Sequence, residues 1–213
     1  MRLAPAVITL TLAMLPYLPV LAAPVCAASP ILLNEILAGP ARDWDGSGVL
    51  STRDDEWVEI INVGPGPLDL AGWLLTDGDA IPRFALSGIL AAGERHVVYG
   101  KDAYDWEKAH GQPAFGLSLA NTGDKVMLWQ VTGADTVLMD SYAYASHEAA
   151  ADRATARFPE GGAAWVLFDG LNPYTGTATP HGNNCAPTPG AANVCTGTPT
   201  RTVTWGRIKT LYR

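Results

Sequence analysis

Asp55-Glu56-Trp57-Val58-Glu59-Ile60-Ile61-Asn62 sits between an acidic loop and the turn run Gly64-Pro65-Gly66-Pro67. Its side chains alternate at period two: Trp57, Glu59 and Ile61 share one face, and Val58 and Ile60 take the other. A β-branched and aromatic run of this length, closed by Gly and Pro, predicts a strand rather than a helix. The same reading repeats along the chain. Ile31 to Leu37, Trp57 to Val63, Gly72 to Thr76, His96 to Tyr99, Lys125 to Val131 and Val137 to Tyr144 are predicted strands. Between them lie Asp77-Gly78-Asp79, Asn121-Thr122-Gly123-Asp124 and Thr132-Gly133-Ala134-Asp135, which carry turn chemistry. Two short stretches, Ala103 to His110 and His147 to Arg157, are predicted helical. Many short strands at this spacing imply an all-β sandwich of two sheets.

Composition agrees. The 213 residues include 22 Gly and 16 Pro, a frequency that demands many turns, and 48% hydrophobic residues, enough for a core. The formal charge is -7, which argues against nucleic acid as a partner, because phosphate contacts need a basic face.

Residues 1–27 read as a secretory signal peptide: Arg2, then an almost wholly apolar run to Leu21, with cleavage placed after Ala27. Cleavage after Ala23 would leave Pro24 first and is disfavoured. The rival is an uncleaved anchor, since the run is nearly long enough to span a bilayer. A lipid-modified Cys26 is disfavoured by Val25 before it. Loss of Arg2 with the leader moves the charge from -7 to -8, and the mature chain then needs no membrane span. Of three cysteines only Cys185 and Cys195 survive, an even pair suited to a disulfide in an oxidising compartment. Without a nearby histidine pair they make a poor zinc site. The domain is placed at residues 28–194, with 195–213 as a short tail. If that tail is helical from Trp205 onward, Trp205, Ile208, Leu211 and Tyr212 share one side and Arg207, Lys209 and Arg213 lie away from it. It reads either as a segment packed on the body or as a docking handle.

Several segments in order resemble one family. Leu33-Asn34-Glu35-Ile36, Asp55 to Asn62, Leu68-Asp69-Leu70-Ala71-Gly72-Trp73 through Asp77, and Leu117 to Val126 are similar to bacterial lamin tail domains. Asp140-Ser141-Tyr142, Arg157-Phe158-Pro159-Glu160-Gly161 and Thr188-Pro189-Gly190-Ala191-Ala192-Asn193 continue the series. The resemblance covers Pro30 to Asn193 and implies an immunoglobulin-like β-sandwich. The filament-forming role of animal lamins does not carry over, because the chain has no heptads. Most of these residues read as fold residues: Asp69 bonds turn amides, Gly72 allows close approach, Trp73 fills core.

The strongest site signal is Asp43-Trp44-Asp45-Gly46-Ser47-Gly48-Val49-Leu50-Ser51-Thr52-Arg53-Asp54, which has calcium-loop spacing. Asp43, Asp45 and Ser47 would offer side-chain oxygens, Val49 a carbonyl and Asp54 the closing carboxylate, with Asp55 or Glu56 as alternatives. A plain acidic surface loop without an ion is the competing reading. The histidines, His96, His110, His147 and His181, show no ligand spacing, and no Gly-x-Ser-x-Gly elbow is present. No catalytic residues are assigned. The expectation is an exported, non-enzymatic module, binding a surface or extracellular protein or glycan, with calcium as its one candidate cofactor. Two alternatives stand beside it: a secreted hydrolase with an unrecognised site, and a carbohydrate- or peptide-binding module using Trp44, Tyr104, Trp106, Trp129, Tyr142 and Tyr144.

Overall fold

The computed structural model describes residues 29–195; residues 1–28, with the expected leader, and 196–213, with the expected tail helix, lie outside the described residues. The strands are β1 (Ile31–Leu37), β2 (Trp57–Asn62), β3 (Leu68–Asp69), β4 (Trp73–Thr76), β5 (Pro82–Ala85), β6 (Ile89–Leu90) and β7 (Arg95–Tyr99). Helix α1 (Gly100–Ala109) precedes β8 (Gly123–Thr132), β9 (Asp135–Ala145), β10 (Ala154–Arg157) and β11 (Trp165–Phe168). They form a five-stranded sheet in the order β11-β10-β1-β2-β7 and a four-stranded sheet in the order β5-β4-β8-β9, with β3 and β6 paired separately. All named pairings are antiparallel.

The main core lies between the two large sheets. Ile31, Leu33 and Ile36 of β1, Val58 and Ile60 of β2 and Val98 of β7 meet Trp73, Leu75, Val126 and Leu128 from the other sheet. A register shift between Leu33 and Glu35 puts one extra residue in β1, so that Ile36 returns to the core and Glu35 turns outward. Every residue of β2 is buried, so both of its alternating faces are covered, including the face that carries Glu59. The cause is tertiary. Residues after β11 fold over the outer face of the five-stranded sheet and make a second cluster with Leu37, Trp57, Ala154, Ala156, Phe168 and Cys185.

The predicted helix at His147 to Arg157 is not formed: its last four residues are β10, paired with β1 and β11. Ala-rich sequence favours a helix locally, but an open edge on β1 rewards a strand more strongly. Small Ala154 and Ala156 fit between the sheet and the covering segment, both at 0% exposure. The other helix forms and starts three residues before its predicted first residue, Ala103, because Gly100 allows it. A Cβ at Gly100 would stand 1.8 Å from the Arg53 carbonyl oxygen, while the Gly100 amide donates to the Glu56 carbonyl at 2.7 Å. The Asp102 carboxylate reaches back to the Tyr99 amide at 3.0 Å and closes the first turn.

Cys185 and Cys195 form a disulfide, with Cα atoms 5.0 Å apart, the pairing expected from the sequence. Among the described residues, no helix is long and apolar enough to cross a membrane.

Candidate functional site

The loop joining β1 to β2 is organised by Asp55, which is fully buried. Its Oδ1 accepts from the amides of Trp44 and Asp45 at 2.6 and 3.0 Å, and its Oδ2 from the amide of Ser51 at 2.7 Å. Asp43 accepts from the amides of Ser47 and Gly48 at 3.0 and 2.7 Å, and Asp45 from that of Ser47 at 2.8 Å. Gly46 and Gly48 sit at φ of 72° and 88°, which the tight turn requires. One carboxylate oxygen from each of Asp43, Asp45 and Asp55 lies within 4.8 Å of the others. Slight burial opposes ionisation of Asp45, yet the Ser47 hydrogen bonds hold its carboxyl below the usual range.

Of the acids considered for the closing position, Asp55 is the one that converges with Asp43 and Asp45. Asp54 is drawn to the Arg53 guanidinium at 2.6 and 3.0 Å, and that pairing keeps its carboxyl below the ordinary range. The turn over residues 51–55 separates the two: Asp55 faces the loop interior just before β2, and Asp54 faces out beside Arg53. Ser47 and Val49 are engaged with each other, the hydroxyl donating to the Val49 carbonyl at 3.2 Å. Glu56 belongs elsewhere, accepting from the Leu119 amide at 3.1 Å; burial pushes its carboxyl up to about 8. Neither loop arginine is bonded to the three converging carboxylates, since Arg42 pairs with Asp152 at 3.0 Å and Arg53 with Asp54.

Two braces are not visible in the sequence. Asp152, over a hundred residues away, accepts from the Ala41 amide and the Trp44 indole at 2.9 Å each. Helix α1 holds the other side: the Lys101 amide donates to the Asp54 carbonyl at 3.2 Å, and Arg53 lies 3.9 Å over the Tyr104 ring. The loop tip between these braces exposes Val49 and Leu50, at 70% and 50%.

The six candidate aromatics do not make one face. Trp44 packs edge-on against Trp57 at 6.0 Å, and Trp106 stacks on His110 at 4.3 Å. Tyr142 stacks on Trp165 at 4.0 Å with its hydroxyl on Glu148, and Tyr144 is core. Trp129 lines a groove of about 270 Å³ with Leu74, Thr76, Ala80, Pro82 and Thr136. Its indole donates to the Thr76 hydroxyl at 3.0 Å. The histidines are dispersed: His96 lies in β7, where burial lowers its basicity, and His147 packs on Tyr174 at 4.9 Å.

A bulged β1, a buried Trp73 and a core held between two antiparallel sheets define a β-sandwich of the immunoglobulin-like class. The sequence model of the Lamin Tail Domain family matches residues 24–146, and the chain belongs to that family. The matched span stops before β10 and β11, yet both strands complete the five-stranded sheet. No curated protein and no solved structure matches the chain significantly.

Proposed function

We propose that the protein is an exported, non-enzymatic module acting by binding or structural presentation at a bacterial cell surface or envelope, with calcium held in its acidic loop. Membership of a family of generally non-catalytic immunoglobulin-like domains supports the non-enzymatic reading. The disulfide suits an oxidising compartment. The observation that carries the loop's role is its construction: three convergent carboxylates, no bonded arginine, and an exposed Val49-Leu50 tip between two braces. Calcium takes six to eight oxygens, and alternate acids with turning glycines supply several of them. The partner is a surface or extracellular protein or glycan; the acidic charge of the chain disfavours nucleic acid.

Thermal unfolding with calcium and with chelator tests this. Stabilisation should rise by mass action to about 2.7 kcal/mol at a hundred times the dissociation constant. Asp43→Ala with Asp45→Ala should remove the effect and leave the fold. A melting temperature indifferent to millimolar calcium would eliminate the metal. Esterase, nuclease or glycosidase turnover that survives repurification and is lost on one point mutation would overturn the non-enzymatic reading. The groove beside Trp129 supports a second reading, a small glycan or peptide seated on the indole. Glycan-array binding abolished by Trp129→Ala would favour it.

A further inference from the structure

The disulfide closes a loop from Cys185 to Cys195 that lies over β1 and β2. Its tip, Thr188-Pro189-Gly190, is held by two outward carboxylates of those strands. Glu35 accepts from the Thr188 amide at 3.0 Å, and its Oε2 stands 2.7 Å from the Thr188 hydroxyl. Glu59 accepts from the Gly190 amide at 2.6 Å and from the Asn34 amide group at 2.7 Å. Both carboxyls are at 0% exposure.

The hydrogen bonds around Thr188 are one proton short. The Asn193 side-chain nitrogen lies between two carbonyl oxygens, of Asn34 at 3.3 Å and Arg157 at 3.0 Å, so that nitrogen is the donor and the amide orientation is fixed. The Asn193 oxygen therefore accepts, and its partner is the Thr188 hydroxyl at 3.1 Å. A hydroxyl has one proton. That single proton cannot serve both the Asn193 oxygen at 3.1 Å and the Glu35 oxygen at 2.7 Å, whereas a proton on Glu35, donated to the Thr188 oxygen, satisfies every oxygen of the buried chain. We propose that Glu35 is a neutral acid whose proton, donated to Thr188, locks the disulfide-closed loop onto the sheet, so that alkali releases the loop and uncovers the apolar cluster beneath it.

The charged surroundings agree. Glu59 from β2 and Glu160 from the turn after β10 face Glu35 with like charge. The nearby cations are engaged: Arg95 of β7 pairs with Glu160, and Arg157 of β10 bonds the Leu33 carbonyl and Asp140. Burial is the largest influence and pushes the Glu35 carboxyl up to about 8. Loss of the proton leaves three oxygens, of Glu35, Thr188 and Asn193, sharing one hydrogen, beside two further carboxylates.

Carboxyl ¹³C and amide ¹⁵N NMR of the oxidised full chain tests the lock. At pH 6 the Glu35 carboxyl should show the shift of a protonated acid. The Thr188 amide signal should move to a loop-like position on a midpoint near pH 8, and Glu35→Gln, an isostere of the neutral acid, should hold it fixed to pH 10. The Gly190 signal reports Glu59 separately and should still titrate in that variant. An ionised Glu35 carboxyl at pH 6 in the wild-type chain would overturn the proposal even if the variant failed to fold. A Thr188 signal that titrates unchanged in Glu35→Gln would overturn it equally.

Discussion

Arg83→Met should cost about 3 kcal/mol of stability at pH 7, and the network around the guanidinium sets that figure. Arg83 rises from edge strand β5 with its side chain 5% exposed. It donates to Asp77 at 2.8 and 3.1 Å, to Asp79 at 2.8 Å and to Glu107 of α1 at 3.2 Å. Asp79 is half-exposed and water can replace its partner, so it adds little. Asp77 and Glu107 are buried, and removing one member of a buried pair costs about 3–5 kcal/mol, because a charge is left without a partner. The lower end applies here. Glu107 keeps the amides of Phe115 and Gly116 at 2.6 and 2.8 Å, which continue to satisfy its second oxygen. Methionine retains the apolar stem and isolates the charge. Urea unfolding at constant m-value is the assay, and adding Asp77→Asn with Glu107→Gln should recover most of the loss. The penalty should also shrink toward acid pH, because an unpaired Asp77 can take up a proton. A cost below about 1 kcal/mol, or no recovery in the triple variant, would refute the reading of this network as the tie between α1 and the sheet.

Phe168→Ala should cost about 3–5 kcal/mol, since the ring is fully buried in the second cluster; urea titration reads it. A chain ending at Ser146, the limit of the family match, should lose cooperative unfolding by circular dichroism, because β1 is left without β10. Reduction of Cys185–Cys195 should lower stability by about 3 kcal/mol, the chain-entropy value for a short loop, measured as a midpoint shift with and without reductant. Stability should peak on the acid side. Burial raises Glu35 and Glu56 to about 8 and Glu59 to about 7 from 4.5, so their contribution is complete below 4.5 and is lost as pH rises through 7 to 8. Asp45, Asp54 and Asp152 are depressed, and their contribution is lost only as pH falls below the usual aspartate range. Melting temperature against pH shows both limbs, and a flat profile from pH 5 to 9 would contradict the first.

The principal strands were legible in the sequence because each couples a period-two apolar run to turn chemistry: β1 has its predicted bounds, and β2, β4 and β7 to β9 differ from theirs by at most two residues at either end. The short strands were not. Pro82 disguises β5, which tolerates it as an edge strand, and four residues are too few for β11 to show a period. Ala154 and Ala156 carry a helical signal that only the vacant edge of β1 overrides. At the acidic loop, spacing alone picked out Asp43 and Asp45, since both lie within one turn of chain. It did not separate Asp54 from Asp55, because which of two adjacent acids turns inward depends on Arg53 and on the start of β2. The bracing by Asp152 and the cover over Glu35 and Glu59 join residues more than a hundred positions apart. Local patterning reports what a residue prefers with its neighbours in the chain. What lies across from it, and whether its charge survives there, is settled only when the chain closes on itself.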